Sequence, residues 1–315
     1  MTYRGEARLA RGRPMGRPYD LGTRMEHRYA NVNGITLHYA TEGEGKLILF
    51  LHGFPEFWYA WKELLAEFGQ DYQAVAPDMR GYNLSSRPAK VAEYKPKVLM
   101  EDIRQLIEHL GHRRCILVAH DWGGAIGWGF AMAFPQYVER LVIINSPHPV
   151  PFARELIHNP AQQQASAYMN FFRTSAAETL LAADDHKWLL KMTRGWGGDV
   201  WMSNADTAAY RAAWSQPGAL TGGLNYYRAS PLHPPDNKND SGPAHVLDNA
   251  ERFKVAVPTL VIWGLRDSAL LPCLLDGLED YVADLTIHRM PEASHWVVHE
   301  KAAEVAATIR HFIAG

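Results

Sequence analysis

Residues 118 to 124 read VAHDWGG and put an acid, Asp121, between two apolar runs. The run before it, Cys115 to Ala119, has the continuous apolar character of a buried strand, and Gly123 to Phe134 has that of an apolar helix. Asp121 therefore falls in a strand-to-helix turn. Ala119 and Gly123, two positions either side, are small enough to let backbones close in around one exposed residue, which is the steric signature of a nucleophile elbow. Serine is the usual occupant of that turn. A carboxylate there changes the chemistry, because with a reference pKa of about 4 it is charged at neutral pH and can attack a saturated carbon without a base.

A nucleophile at such a turn works with a histidine and an acid that orients it, in the chain order nucleophile, acid, histidine. The apolar segment TLVIWG (259–264) is followed by LRD, which places Asp267 just past a strand end. LTIHRM (285–290) is followed by PEASH, which places His295 in a loop before the last helix. The loop NSPHP after Asn145 offers no competing acid, and Asp267 is favoured over Asp276, Glu279 and Asp280. The segment after LILFL (47–51), HGFPEFWYAW, supplies an oxyanion turn. Its Phe54 N–H and the N–H of Trp122 can face the developing charge. His52, Pro55, Trp58 and Trp122 are the expected substrate-binding residues around it. The loop DMRGYNLSS (78–86) is read as structural, and neither Ser85 nor Ser146 sits in an elbow.

The elements that must carry these residues alternate. Apolar segments stand at 35–40, 47–51, 73–77, 115–119, 141–145, 259–264 and 285–290, with helices expected at about 59–68, 97–110, 123–134 and 298–313. That alternation predicts an α/β chain with a mostly parallel sheet flanked by helices. It stops after Asn145 and resumes near Val257, and the stretch between is rich in Ala, Trp and Tyr at helical spacing. The expected division is an N-terminal extension (1–26), a core (27–147 and 246–315) and a helical cap (148–245). With 32 basic and 34 acidic side chains the chain carries a net charge of -2, which gives no electrostatic case for nucleic acid or an anionic membrane. Cys115 and Cys273 lie in or beside apolar runs and read as free thiols. No apolar run is long enough to span a membrane and no export signal is visible, so a cytoplasmic protein is expected, as monomer or homodimer.

Three segments, HGFPEFWYAW, VAHDWGG and GLNYYR (223–228), resemble the epoxide hydrolases of the α/β-hydrolase fold, and the similarity runs over nearly all the chain after about residue 26. The resemblance implies that Asp121, followed by Trp122, is the nucleophile, and that His52 to Pro55 form the family's His-Gly-x-Pro turn, often with a cis peptide before the proline. It also implies two cap tyrosines that hold the epoxide oxygen: Tyr227 in NYYR and Tyr168 in YMNFF, with Tyr226 rejected by register. The implied reaction turns an apolar aryl or alkyl epoxide into a vicinal diol through an ester on Asp121. Water is the second reactant, and no cofactor or metal is needed; no metal-ligand spacing is present in the sequence. Dehalogenases of the same fold are the nearest rivals. Haloalkane dehalogenases commonly carry asparagine where Phe54 stands, and fluoroacetate dehalogenases carry arginine where Trp122 stands, so neither departure favours halide. A non-catalytic ligand-binding protein on the same scaffold is the remaining alternative.

Overall fold

The computed structural model describes residues 25–194, 201–236 and 242–315. The expected N-terminal extension, up to residue 24, lies outside the described residues, as does part of the polar stretch SPLHPPDNKNDSGPAH (230–245), with which the expected cap ends. Eight strands form one sheet: β1 (Glu26–Val32), β2 (Ile35–Glu42), β3 (Leu47–Leu51), β4 (Gln73–Pro77), β5 (Cys115–His120), β6 (Val138–Ile144), β7 (Thr259–Gly264) and β8 (Leu285–Met290). Their order is β1-β2-β4-β3-β5-β6-β7-β8. The pairs β1·β2 and β2·β4 are antiparallel and all the others are parallel. Every residue of β3, β5 and β7 is buried, which is why these three read as unbroken apolar runs. β1 was not anticipated. It is a largely exposed edge strand of sequence EHRYANV, so it carries no apolar run, and it hairpins onto β2 through Asn33-Gly34, both with left-handed backbone.

The described helices of the core are α1 (Lys62–Phe68), α2 (Pro96–His109), α3 (Asp121–Ala133) and, at the end of the chain, a short turn and a long helix. The segment expected as one helix over 59–68 begins as a 3-10 turn, Trp58–Trp61, and the last expected helix is divided at Lys301. α2 packs with α3, and α1 with the C-terminal helix, so both faces of the sheet are covered. Trp61, Trp128, Trp263, Phe50 and Phe68 fill the space between the layers.

Between β6 and β7 the described chain is helical: α4 (Pro149–His158), α5 (Pro160–Ala165), α6 (Ala167–Phe172), α7 (Ala177–Thr193, broken at Ala183–His186), α8 (Asn204–Trp214), α9 (Ala219–Ala229) and α10 (Gly242–Asp248). In sequence order the two terminal helices of the core are then α11 (Val297–Glu300) and α12 (Ala302–Ala314). α4 and α10 meet through Val150, Ala153 and Val246, which brings the two ends of the insertion together. α8 is fastened to the turn after β3: the Trp214 indole donates to the Pro55 carbonyl at 2.6 Å and the Tyr210 hydroxyl to Glu56 at 2.7 Å. Cys115 and Cys273 are free thiols. Among the described residues no helix is long and apolar enough to cross a membrane.

Candidate active site

β5 hands over to α3 at Asp121, whose φ of 49° lies in the left-handed region. For a residue with a side chain that backbone costs about 1–2 kcal/mol, so the surroundings must hold it there. They do so by close approach. A methyl group on Gly53 would overlap the Asp121 carboxylate, one on Gly123 would overlap the Leu51 carbonyl, and one on Gly124 would overlap the Ser146 side chain. The Ser146 hydroxyl donates to the Asp121 backbone carbonyl at 2.7 Å, and the Trp128 indole donates to the Ser146 carbonyl at 3.1 Å. Asp121 is also the first residue of α3, where the helix dipole favours a negative charge.

One carboxylate oxygen of Asp121 accepts the Phe54 N–H at 2.7 Å, and the other lies 3.7 Å from His295 Nε2. His295 Nδ1 donates to Asp267 at 2.7 Å. Asp267 is buried and accepts the N–H groups of Ala269 and Leu270, both at 2.9 Å, and the Asn145 amide at 2.8 Å. Burial on its own pushes the Asp267 carboxyl up, but the charge and hydrogen bond of His295, with those backbone and amide donors, hold it below its ordinary value. Burial likewise disfavours charge on His295, and the carboxylates of Asp267, Asp121 and Glu56 outweigh it, raising the imidazole to about 9. The resting site is therefore an imidazolium between two carboxylates. The Trp122 N–H lies in the first turn of α3, where backbone N–H groups have no acceptor within the helix.

The cap places two phenols over this group. Tyr168 on α6 and Tyr227 on α9 have ring centroids 6.1 Å apart. Tyr227 stands edge-on to Trp122 at 4.9 Å and to Phe54 at 5.3 Å, with Phe172 packed against both tyrosines. Burial first raises the pKa of both phenols, followed by the Asp121 charge for Tyr168 and by Tyr168 and then Asp121 for Tyr227, so they remain protonated donors. Tyr226 stands edge-on to Trp122 at 5.8 Å but directs its hydroxyl to the loop after β4, donating to the Arg80 carbonyl at 2.9 Å.

Three residues expected to bind substrate have other partners. His52 is fully buried: its Nε2 accepts the Met79 N–H at 3.0 Å, its Nδ1 donates to the Gly53 carbonyl at 2.9 Å, and burial lowers its pKa, so it is a neutral strut under the turn. Pro55 follows a cis peptide and offers its carbonyl to Trp214. Trp58 packs its ring on His27, Phe57 and Tyr59, and its N–H donates to Asp78, which makes it part of the core below the turn. Aromatic residues near a nucleophile in sequence can support the turn as well as line it.

Two groups escaped the sequence reading. Asn145 was noted only as preceding a loop without an acid. Its left-handed backbone and its paired bonds to Gly264 and Asp267 make it the clamp on Asp267. Glu56 is a fully buried carboxylate that accepts from His299 at 2.6 Å and Tyr210 at 2.7 Å, with His120 Nδ1 at 3.3 Å. Burial would raise its pKa, but His299 and His120 hold it well below the ordinary value. His120 in turn donates to the His295 carbonyl at 2.9 Å. The sequence signal was an acid inside an otherwise apolar aromatic run; its partners, 154 and 243 residues away, carried none.

A family model described as the alpha/beta hydrolase fold matches residues 46–302. Epoxide hydrolase 3 of Xenopus tropicalis is 36% identical, over 91% of this chain and 78% of its own. Epoxide hydrolase 4 of Mus musculus is 35% identical, over 99% of this chain and 85% of its own. Among solved structures, a mutant epoxide hydrolase from Bacillus megaterium, complexed with its product (R)-3-[1]naphthyloxy-propane-1,2-diol, superposes with a TM-score of 0.81 at 37% identity, over 91% of this chain and 100% of that one. The identity extends over core and insertion together, at a level that shows the family as well as the fold. The chain belongs to the epoxide hydrolases of the α/β-hydrolase fold family.

Proposed function

We propose that this epoxide hydrolase works in two steps through an ester on Asp121, with the ring oxygen received by Tyr168 and Tyr227. The observation that carries the reading is the Asp121 carboxylate itself, gripped by the Phe54 N–H, 3.7 Å from His295, and facing two protonated phenols. In the first step a carboxylate oxygen attacks an epoxide carbon and the carbon–oxygen bond of the ring breaks. The departing oxygen takes a proton from a cap tyrosine; positioned proton transfer of this kind is worth about 10²–10⁴-fold.

Ester formation consumes the Asp121 charge, one of the three that hold the proton on His295. His295 then releases that proton to the tyrosinate, which leaves a neutral imidazole beside a neutral ester. Water attacks the ester carbonyl as His295 takes its proton. The N–H groups of Phe54 and Trp122 receive the oxyanion, a contribution of about 3–4 kcal/mol for such a donor. Collapse breaks the bond to the diol, whose oxygen takes the remaining proton of the tetrahedral group, so that Asp121 is again a carboxylate and His295 an imidazolium. Every proton is accounted for, and all the groups invoked belong to the chain or the substrates.

The pocket wall supports an apolar aryl or alkyl substrate, since Phe54, Trp122, Phe172 and Trp188 form one aromatic cluster with the tyrosines. Halide chemistry has no comparable support: the Phe54 side chain cannot donate to a halide. The test is His295→Gln mixed with an aryl epoxide. The intact protein should gain the whole substrate mass on a peptide containing Asp121, because the ester forms and water is not activated. Diol release at the wild-type rate with no adduct would contradict the two-step reading.

A further inference from the structure

α9 meets the core through two adjacent faces, and the four-residue spacing of a helix separates their duties. Gly223 and Tyr227 share one face. The Gly223 Cα lies so near the Phe54 ring that a methyl there would stand 3.0 Å from it, and Tyr227 projects from the same side toward Trp122 and Phe54. Gly222 and Tyr226 share the neighbouring face, turned to the loop 78–86. A methyl on Gly222 would overlap the Gly81 carbonyl, so helix and loop touch backbone to backbone, and Gly81 itself has a left-handed φ of 92°. One turn farther on, the Tyr226 hydroxyl donates to the Arg80 carbonyl at 2.9 Å. The Tyr226 ring is buried between Tyr82 and Tyr94, with centroids at 5.2 and 5.7 Å.

The acceptor is itself immobilised. The buried Arg80 guanidinium binds both oxygens of Asp102, at 2.7 and 2.6 Å, and Asn33 holds the same carboxylate at 2.8 Å. A two-point arginine–carboxylate pair of this kind fixes orientation as well as distance. The Arg80 carbonyl is thus a stationary mark on the core, and Tyr226 ties the helix bearing Tyr227 to it.

We propose that Tyr226 is a positioning residue for epoxide opening: with Gly222 on Gly81, its bond to the Arg80 carbonyl sets the rotation of α9 and so the direction in which the Tyr227 hydroxyl points. The loop DMRGYNLSS is then the platform on which the acid-bearing helix is seated, a duty its sequence did not disclose. The proposal rests on the reading of Tyr227 as proton donor in the first step. A hydroxyl displaced by even an ångström loses much of its effect on ring opening, whereas once His295 has returned its proton to the tyrosinate the attack of water uses His295, Asp267 and the oxyanion donors and not the aim of that hydroxyl.

The test measures ester formation and ester hydrolysis separately, by rapid quench in single turnover, for Tyr226→Phe, Tyr227→Phe and the double variant, normalised to the sites that form ester. Tyr226→Phe should slow ester formation on the order of tenfold while hydrolysis stays within about twofold of wild type. In the Tyr227→Phe background the same change should add almost nothing, because there is no hydroxyl left to aim. Gly222→Ala, which lifts the same face, should give the same one-sided pattern and serves if Tyr226→Phe folds poorly. Effects of Tyr226→Phe and Tyr227→Phe that multiply, an equal slowing of both steps, or unaltered ester formation in Tyr226→Phe would overturn the seat alone. Unaltered ester formation in Tyr227→Phe would remove the proton-donor reading, and the seat with it.

Discussion

The elbow around Asp121 and the cap over it hold their reactive groups by different means. At the elbow, backbone does the holding: Gly53, Gly123 and Gly124 let three chain segments touch, and the Phe54 N–H is a main-chain donor. In the cap, the hydrogen bonds to the core come from side chains, Tyr226 to Arg80 on the helix that carries Tyr227 and Trp214 to Pro55 and Tyr210 to Glu56 on the neighbouring α8, beside one backbone contact of Gly222 with Gly81. Backbone contact tolerates almost no substitution. Side-chain fasteners can be altered one at a time.

That comparison breaks most visibly if both phenols are removed. Tyr168→Phe and Tyr227→Phe singly should lower ester formation, since each can partly cover for the other, and the double variant should lose it by about 10⁴-fold, the upper range for a positioned acid. A double variant that opens epoxides at the wild-type rate would mean that the cap is only a cover.

A smaller effect sharpens the core side. His295 has its imidazole raised to about 9 from 6.5, so between those pH values the folded chain keeps a proton that the unfolded chain has lost. Stability should therefore fall as pH rises through that window, by up to about 3 kcal/mol for this group. Asp267→Asn removes the nearest counter-charge, so denaturant titrations at pH 6.5 and 9 should show a smaller drop for the variant than for wild type. An equal drop in both would mean that Asp267 does not hold the imidazolium.

The same division explains what could be read from the sequence. Asp121, Asp267 and His295 each follow a buried strand, and apolar runs such as LILFL and TLVIWG mark those strands plainly. β1 went unread because an exposed edge strand has no apolar run, although Asn33-Gly34 is itself a hairpin signal. Tyr168 and Tyr227 came from the resemblance of their surrounding motifs; nothing in their local periodicity distinguishes them from Tyr226 or Tyr210. Asn145 and Glu56 were not read as site neighbours because their roles exist through partners far along the chain, Asp267 and His299 among them. His52 and Trp58 have partners below the turn that the sequence did not disclose, because nearness in sequence to a turn does not say which side of it a ring occupies.

The central claim is that Asp121 bonds to the substrate carbon, and a single turnover in oxygen-18 water with enzyme in excess tests it most directly. The account predicts that the first diol carries no heavy oxygen, since its two oxygens come from Asp121 and the epoxide, and that the label is found in the Asp121 carboxylate after ester hydrolysis. Heavy oxygen in the first diol, with an unlabelled Asp121, would show that water attacks the epoxide directly and that the elbow carries a general base.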